Sequence, residues 1–189
     1  MLIALDIGNV SVQLHLEESN RMFGFSGSYP PAFEAIAEQH ETGKIQTPEF
    51  LKKASVITGL SEQAVYDAWD MKVGSEIPGM GDAVREFAAK GIEFAFLSDI
   101  GELHLTKVRR GVSFVNLCKG GIFSFEAGIR KPDAGIYRAF EAAYGKPDLF
   151  FDDMERNIIG ASAMGWKAVR FTGVDMFRET VDLLLSGRL

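Results

Sequence analysis

The 189-residue sequence predicts an α/β protein, with a mainly parallel sheet and a small helical insert after the first strand. Three observations carry this. Short apolar runs without polar alternation, LIAL from Leu2, FAFL from Phe94 and LFF from Leu149, suit strands covered on both faces. From Gly79 onward strands and helical patterns alternate, which implies right-handed crossovers and parallel pairing. Between the first two runs, three helical stretches follow one another with no strand among them, as expected of a compact insert on an α/β body.

In order, Leu2 to Leu5 form the opening strand, ending at Asp6 before a turn through Gly8 and Asn9. Val10, Val12, Leu14 and Leu16 then alternate with Ser11, Gln13 and His15, the period of a half-buried strand. SGSYPP, Ser26 to Pro31, reads as a loop. The stretch Pro31–Gln39 turns Phe33, Ile36 and Ala37 to one side, and Thr47–Thr58 opens as Thr-Pro-Glu with Leu51 and Val56 inward. The third helix, from Ser61 to about Lys72, takes Ser61 as its N-cap and Ala64, Val65, Ala68 and Trp69 as its apolar stripe. Trp69, Tyr66 and Phe33 read as insert core rather than as a substrate platform. From Asp82, a candidate N-cap, a helix runs to Lys90 with Val84, Phe87 and Ala88 inward, and Gly91 stops it ahead of the FAFL strand. A short strand at Ile122–Phe125 follows a Gly120-Gly121 turn, and Ala134–Tyr144 is helical with Asp133 available as its cap. After LFF come a helix at Glu155–Met164, a strand at Lys167–Phe171 and a closing helix at Val174–Leu185.

The composition narrows the partners. A formal charge of -6 argues against a nucleic-acid surface or an anionic membrane, since either would need a concentrated basic face. The single cysteine, Cys118, excludes an internal disulfide and suits a reducing compartment. The amino terminus lacks a basic n-region and its apolar run is broken at Asp6, so the expectation is a cytoplasmic protein, a monomer or homodimer, with a small-molecule ligand.

Successive strands end in polar, reactive residues: Asp6 after LIAL, Ser98 and Asp99 after FAFL, Asp152 and Asp153 after LFF. Lys131 stands in the loop before a helix. Strands of a parallel sheet point one way, so these termini converge on the crevice where such sheets bind ligands. Singly, each has an ordinary reading as a turn residue, a helix cap or a solvated charge. Together they crowd Asp6, Asp152 and Asp153, and the repulsion is on the order of 4 kcal/mol per pair at about 4 Å and an effective dielectric near 20. A cation relieves it. Magnesium, with its preference for carboxylates, water and phosphate oxygens, suits this set better than zinc, for which there is no His/Cys cluster.

At this point the motifs resemble a known family. D-x-G-N-V at Asp6, L-S-D at Leu97, G-I-R-K-P-D-x-x-I-Y at Gly128 and F-F-D-D-x-x-x-N-I-x-G-A at Phe150 are similar, in order, to the four motifs of the haloacid dehalogenase-like (HAD) hydrolases. H-E-T-G-K-I-x-T-x-E-F at His40 and L-S-D-x-x-E-L-H at Leu97 resemble the branch containing small sugar-phosphate phosphatases. The resemblance implies a Rossmann-like three-layer α/β/α core over residues 1–16 and 79–189, and a reduced helical cap over 17–78. It implies a magnesium-dependent phosphatase of a small phosphorylated metabolite, with Asp6 the nucleophile that forms an aspartyl-phosphate. Ser98 and Lys131 would hold the phosphoryl oxygens, with Asp99 beside them, and Lys131 would also neutralise charge next to Asp6. Asp6, the backbone carbonyl of Gly8 and Asp153 would ligate the metal, with Asp152 direct or through water and Asn157 supporting the loop.

Three departures qualify the match. Most phosphatases of the family carry a second aspartate two residues after the nucleophile, as proton donor; here that position is Gly8. His15 and Asp99 are the candidates to replace it, each with an ordinary surface or hinge reading. Asp99 stands where the family has asparagine, and the cap region lacks its usual long first helix, which predicts a cap of about three helices. Gly8 and Asp99 together support a second reading, a catalytically impaired relative that binds a phosphorylated ligand.

Overall fold

The computed structural model describes residues 1–189. Its core is a five-stranded sheet, and every pairing in it is parallel. Strand β1 (Leu2–Leu5) lies at the centre, between β4 (Glu93–Ser98) and β6 (Leu149–Asp152); β5 (Cys118–Phe123) and β7 (Ala168–Arg170) form the edges. The unbroken apolar runs have a direct cause, since both faces of the central strands are covered. Ile3, Leu5, Phe94, Phe96, Leu149 and Phe151 point into one buried cluster, with Phe87 of α5 (Met80–Ala89) and Phe177 of α10 (Val174–Leu185). Leu2, Ala4, Ala95, Leu97 and Phe150 point into the other, against Ile136, Tyr137 and Phe140 of α8 (Ala134–Tyr144) and Ala161 of α9 (Glu155–Ala163). This gives three layers, helix, sheet and helix, as the alternation of strands and helices predicts. No helix is long and apolar enough to cross a membrane.

The insert has its own core. Phe23, Phe33, Ile36, Phe50, Ala54, Val65, Ala68 and Trp69 pack together, so Phe33 and Trp69 are core as expected, while Tyr66 stays half-buried. There are four helices, not three: α1 (Leu16–Phe23), α2 (Pro31–Glu41), α3 (Thr47–Thr58) and α4 (Glu62–Met71). The additional one, α1, begins at Leu16, which the strand-like alternation claimed, and no side chain caps its start; only Ser19 and Phe23 are buried. It is held by tertiary contact, with Ser19 Oγ donating to the Ala68 carbonyl of α4 at 2.7 Å. In α3 the expected inward Val56 is instead 82% exposed, and Phe50 and Ala54 carry the packing.

A two-stranded antiparallel ribbon joins insert to body. The predicted strand after Asn9 shrinks to β2 (Val12–Leu14), and its partner β3 (Val73–Glu76, VGSE) carries no apolar pattern that would announce it. Helix α6 (Glu102–Gly111), after the FAFL strand, and a short helix α7 (Ser124–Ala127) also lie where no helix was expected. Ser61 caps α4 and Asp133 caps α8 as expected, but α5 starts at Met80 behind Gly79, which leaves Asp82 in the first turn. The Gly120-Gly121 pair lies inside β5 rather than in a turn. At Gly121 a β-carbon would fall 2.7 Å from Phe96 Cβ and 2.8 Å from Phe96 O, so the residue's role is close approach of the neighbouring strand.

Candidate active site

The carboxyl ends of β1, β4 and β6 open on one cavity of about 240 Å³, lined by Asp6, Gly8, Ser98, Asp99, Lys131 and Asp153 among others. Of the residues singled out by sequence, Asp6, Gly8, Ser98, Asp99, Lys131, Asp153 and Asn157 line this cavity, whereas Asp152 does not, being fully buried at the end of β6.

Lys131 organises the site. Its ammonium lies 2.9 Å from Asp6 Oδ1 and 2.6 Å from Asp152 Oδ2, and it donates to the Leu97 carbonyl at 2.9 Å. Its side chain is 1% exposed, so the reading of a solvated loop charge is excluded. Burial alone would favour the neutral amine, but Asp6 and Asp152 reverse this and hold it firmly protonated. Asp152 is saturated: Oδ1 accepts from the Met154 N–H at 2.8 Å and from Asn157 Nδ2 at 2.9 Å, and Oδ2 from Lys131. It therefore acts first as the anchor of Lys131 and of the loop after β6.

Asp6 is buried but faces the cavity. Burial pushes its carboxyl up to about 7, against the pull of Lys131, and Asp152 adds to the rise. Asp153 is half-buried, and Asn9 Nδ2 donates to its Oδ2 at 2.9 Å. Asn9 holds a left-handed backbone, φ 51°, which asparagine tolerates, and its Oδ1 accepts from the Leu14 N–H at 3.1 Å. The D-x-G-N-V turn thus ties the loop after Asp6 both to Asp153 and to β2. Ligand oxygens of Asp6, Asp152 and Asp153 lie within 4.8 Å of one another. Three carboxylates around one ammonium leave an excess of negative charge, which a divalent cation would offset.

Ser98 is buried beside Asp6, and its hydroxyl lowers the Asp6 carboxyl. Asp99 does not point its charge at Asp6. Its Oδ1 accepts from the Lys131 N–H at 2.9 Å and its Oδ2 lies 3.7 Å from Arg130 Nε, so it braces the Lys131 loop. His15 does not line the cavity.

The opposite wall comes from residues that sequence reasoning did not single out: Glu41, Lys72, His104, Arg130 and Leu14. Glu41 and His104 fall inside the quoted H-E-T-G-K and L-S-D-x-x-E-L-H segments, whereas Lys72 and Leu14 carry no local signal. Lys72 Nζ pairs with Glu41 Oε1 at 2.7 Å. Burial works against the Glu41 charge, yet Lys72 and Arg130 hold its carboxyl below the usual range. His104 Nε2 lies 2.8 Å from the Trp69 carbonyl, and burial lowers the imidazole to about 4.

No protein-family model matches the chain, and no curated protein matches it in sequence. Solved structures match its fold. A predicted HAD-like family hydrolase from Porphyromonas gingivalis aligns with a TM-score of 0.80 at 22% identity, over 97% of each chain. A HAD family enzyme from Bacteroides thetaiotaomicron, in complex with magnesium and inorganic phosphate, aligns with a TM-score of 0.76 at 21% identity, over 91% of this chain and 94% of that one. The L-2-haloacid dehalogenase from Xanthobacter autotrophicus, with chloropropionic acid covalently bound, gives 0.65 at 12% identity, over 100% of this chain and 84% of that one. The architecture is therefore that of the HAD-like hydrolases, a mainly parallel Rossmann-like sheet between helices.

Proposed function

We propose that the protein is a magnesium-dependent phosphatase, hydrolysing a small phosphate monoester through an aspartyl-phosphate on Asp6. The observation that carries this reading is the Lys131 ammonium, buried between Asp6 and Asp152 at the floor of a cavity that Ser98 and Asp153 also line. A fixed cation beside a carboxylate lets an anionic nucleophile meet an anionic phosphate, and it stabilises charge developing on the phosphoryl oxygens. Ser98 supplies a hydroxyl at the same place. The solved HAD family enzyme with magnesium and phosphate bound supports the choice of metal and ligand.

The residues present fit magnesium. Asp6, the Gly8 carbonyl and Asp153 would hold it, with Asp152 close behind, and the negative excess of the cluster suits a dication. When bound, the metal would keep Asp6 anionic and offset the charge of the phosphoryl group. Asn9 orients Asp153 for this, and Asn157 fixes Asp152.

The experiment is a phosphate-release screen over a metabolite panel, including sugar phosphates, with and without magnesium and with Asp6→Asn as control. Magnesium-dependent release that Asp6→Asn abolishes is expected. Full activity in Asp6→Asn, or no release from any compound, would overturn the reading.

A further inference from the structure

The charged groups that line the cavity fall into two sets. Asp6, Asp153 and Lys131 form the phosphate end, with Asp6 and Asp153 in the carboxylate cluster that suits a cation. The rest of the lining carries Lys72, Arg130 and Arg156 against Glu41 and Asp99. His104 adds no charge, since burial keeps its ring neutral and its one proton sits on Nε2, facing the Trp69 carbonyl. In this second set three cations meet two carboxylates, which leaves one positive charge in excess before a substrate enters.

The pairing within the set is uneven. Lys72 Nζ is taken up by Glu41 Oε1 at 2.7 Å, and Asp99 Oδ1 accepts from the Lys131 N–H. The second oxygens, Glu41 Oε2 and Asp99 Oδ2, each lie 3.7 Å from the Arg130 guanidinium, beyond hydrogen-bonding distance. Arg130 therefore tempers the repulsion that both would exert on an entering anion, while its own N–H groups stay free. Arg156 stands exposed in the first turn of α9 and has no carboxylate in ion-pair contact. Leu14, Leu16 and Met154 add apolar surface to the same lining, which suits a carbon skeleton and gives hydroxyl groups no partner.

A guanidinium presents its N–H groups as a planar fork that fits a carboxylate or a phosphate bidentately, and such charge-assisted bonds are the strong ones. We infer that the substrate carries a second anionic group, a carboxylate or a further phosphate, besides the phosphate that Asp6 attacks, and that Arg130 and Arg156 recognise it. The inference rests on the phosphatase reading above and narrows its substrate class. Asp6, Ser98 and Lys131 take one charged end, the two guanidiniums the other, and the apolar lining the carbons between.

The test arranges the phosphate-release panel in matched pairs that differ by one anionic group, with initial rates measured in magnesium. In one pair, glycerol 3-phosphate and 3-phosphoglycerate, a carboxylate replaces a hydroxymethyl group; in the other, glucose 6-phosphate and glucose 1,6-bisphosphate, a second phosphate is added. The parent protein should favour the more anionic member of at least one pair by about 10-fold or more in kcat/KM, the worth of one hydrogen bond to a charged group, and the pair that responds identifies the anion. Arg130→Gln and Arg156→Gln should each lower that ratio by about 10-fold, chiefly through KM, and Arg156→Lys should retain part of it. A merely structural role would slow both members of a pair alike, so an unchanged ratio in both glutamine variants overturns the inference. Ratios near one in every pair overturn it as well and leave the phosphatase reading standing. Failure to release phosphate from any compound of the panel overturns the phosphatase reading, and the inference with it.

Discussion

Glu41, at the end of α2, and Lys72, just after α4, form an ion pair of 2.7 Å whose side chains are only 10% and 16% exposed. Both residues line the cavity, on the side of the helical insert. Lys72 also sits 4.6 Å over the Trp69 ring, and the Glu41 carbonyl accepts from Ser124 Oγ of the body. Removing one partner strands a buried charge, which costs about 3–5 kcal/mol, whereas removing both with apolar groups of similar size is close to neutral. Glu41→Ala is therefore expected to lower the urea midpoint sharply, and Glu41→Leu combined with Lys72→Met to recover most of the loss. Equal losses in the single and double variants would show that the pair is not the source.

His104 gives the stability a pH dependence. Burial lowers its folded pKa to about 4, against an ordinary value of 6.5, so the fold holds the neutral ring. Between these values the unfolded chain binds a proton that the folded chain does not. Its contribution is thus complete above about pH 6.5 and declines as pH falls toward 4, by on the order of 3 kcal/mol. His104→Gln, which can still donate to the Trp69 carbonyl, should flatten the fall in urea midpoint over this range. An unchanged slope in the variant would assign the effect to other groups.

The contrast between what was and was not legible follows from the range of the interactions. Asp6, Ser98 and Asp153 could be found because each ends an apolar run, and a parallel sheet carries such ends to one edge. Lys131 needed the loop before α8 for its place, and its burial came only from the fold. Helix α1, strand β3 and the Glu41–Lys72 pair depend on contacts between segments far apart in the chain: α1 packs on α4, and β3 pairs with β2. A stretch such as VGSE has no period of its own, because its partner strand supplies the reason for its shape.

Gly43 marks how closely the helical insert approaches the body. Its φ is +68°, and a β-carbon there would fall 2.1 Å from the Phe125 carbonyl oxygen of α7. The backbone conformation and the contact both exclude a side chain. Gly43→Ala is expected to destabilise by a few kcal/mol, within the range for strained or overpacked positions, and to loosen the helical insert. Thermal unfolding measures the first effect; faster proteolysis within α2 and α3 measures the second. A variant as stable and as protease-resistant as the parent would mean that the approach is easily relaxed.

Asp152 and Asp153 are adjacent in sequence, yet their surroundings assign them different work. Asp152 has both oxygens occupied, by Lys131, Asn157 and the Met154 N–H, with no exposed surface. Asp153 is half-buried, lines the cavity and accepts one hydrogen bond, from Asn9. A ligand that binds only the folded chain stabilises it by about 2.7 kcal/mol at a hundred times its dissociation constant. Magnesium should therefore raise the melting temperature of the parent protein. In Asp153→Asn this rise should largely vanish while the metal-free melting temperature changes little. In Asp152→Asn the metal-free melting temperature itself should fall, since Lys131 loses its buried partner, and a magnesium-induced rise should persist. If Asp152→Asn alone abolished the rise, Asp152 would be the principal ligand and its saturation by hydrogen bonds would have to yield to the metal.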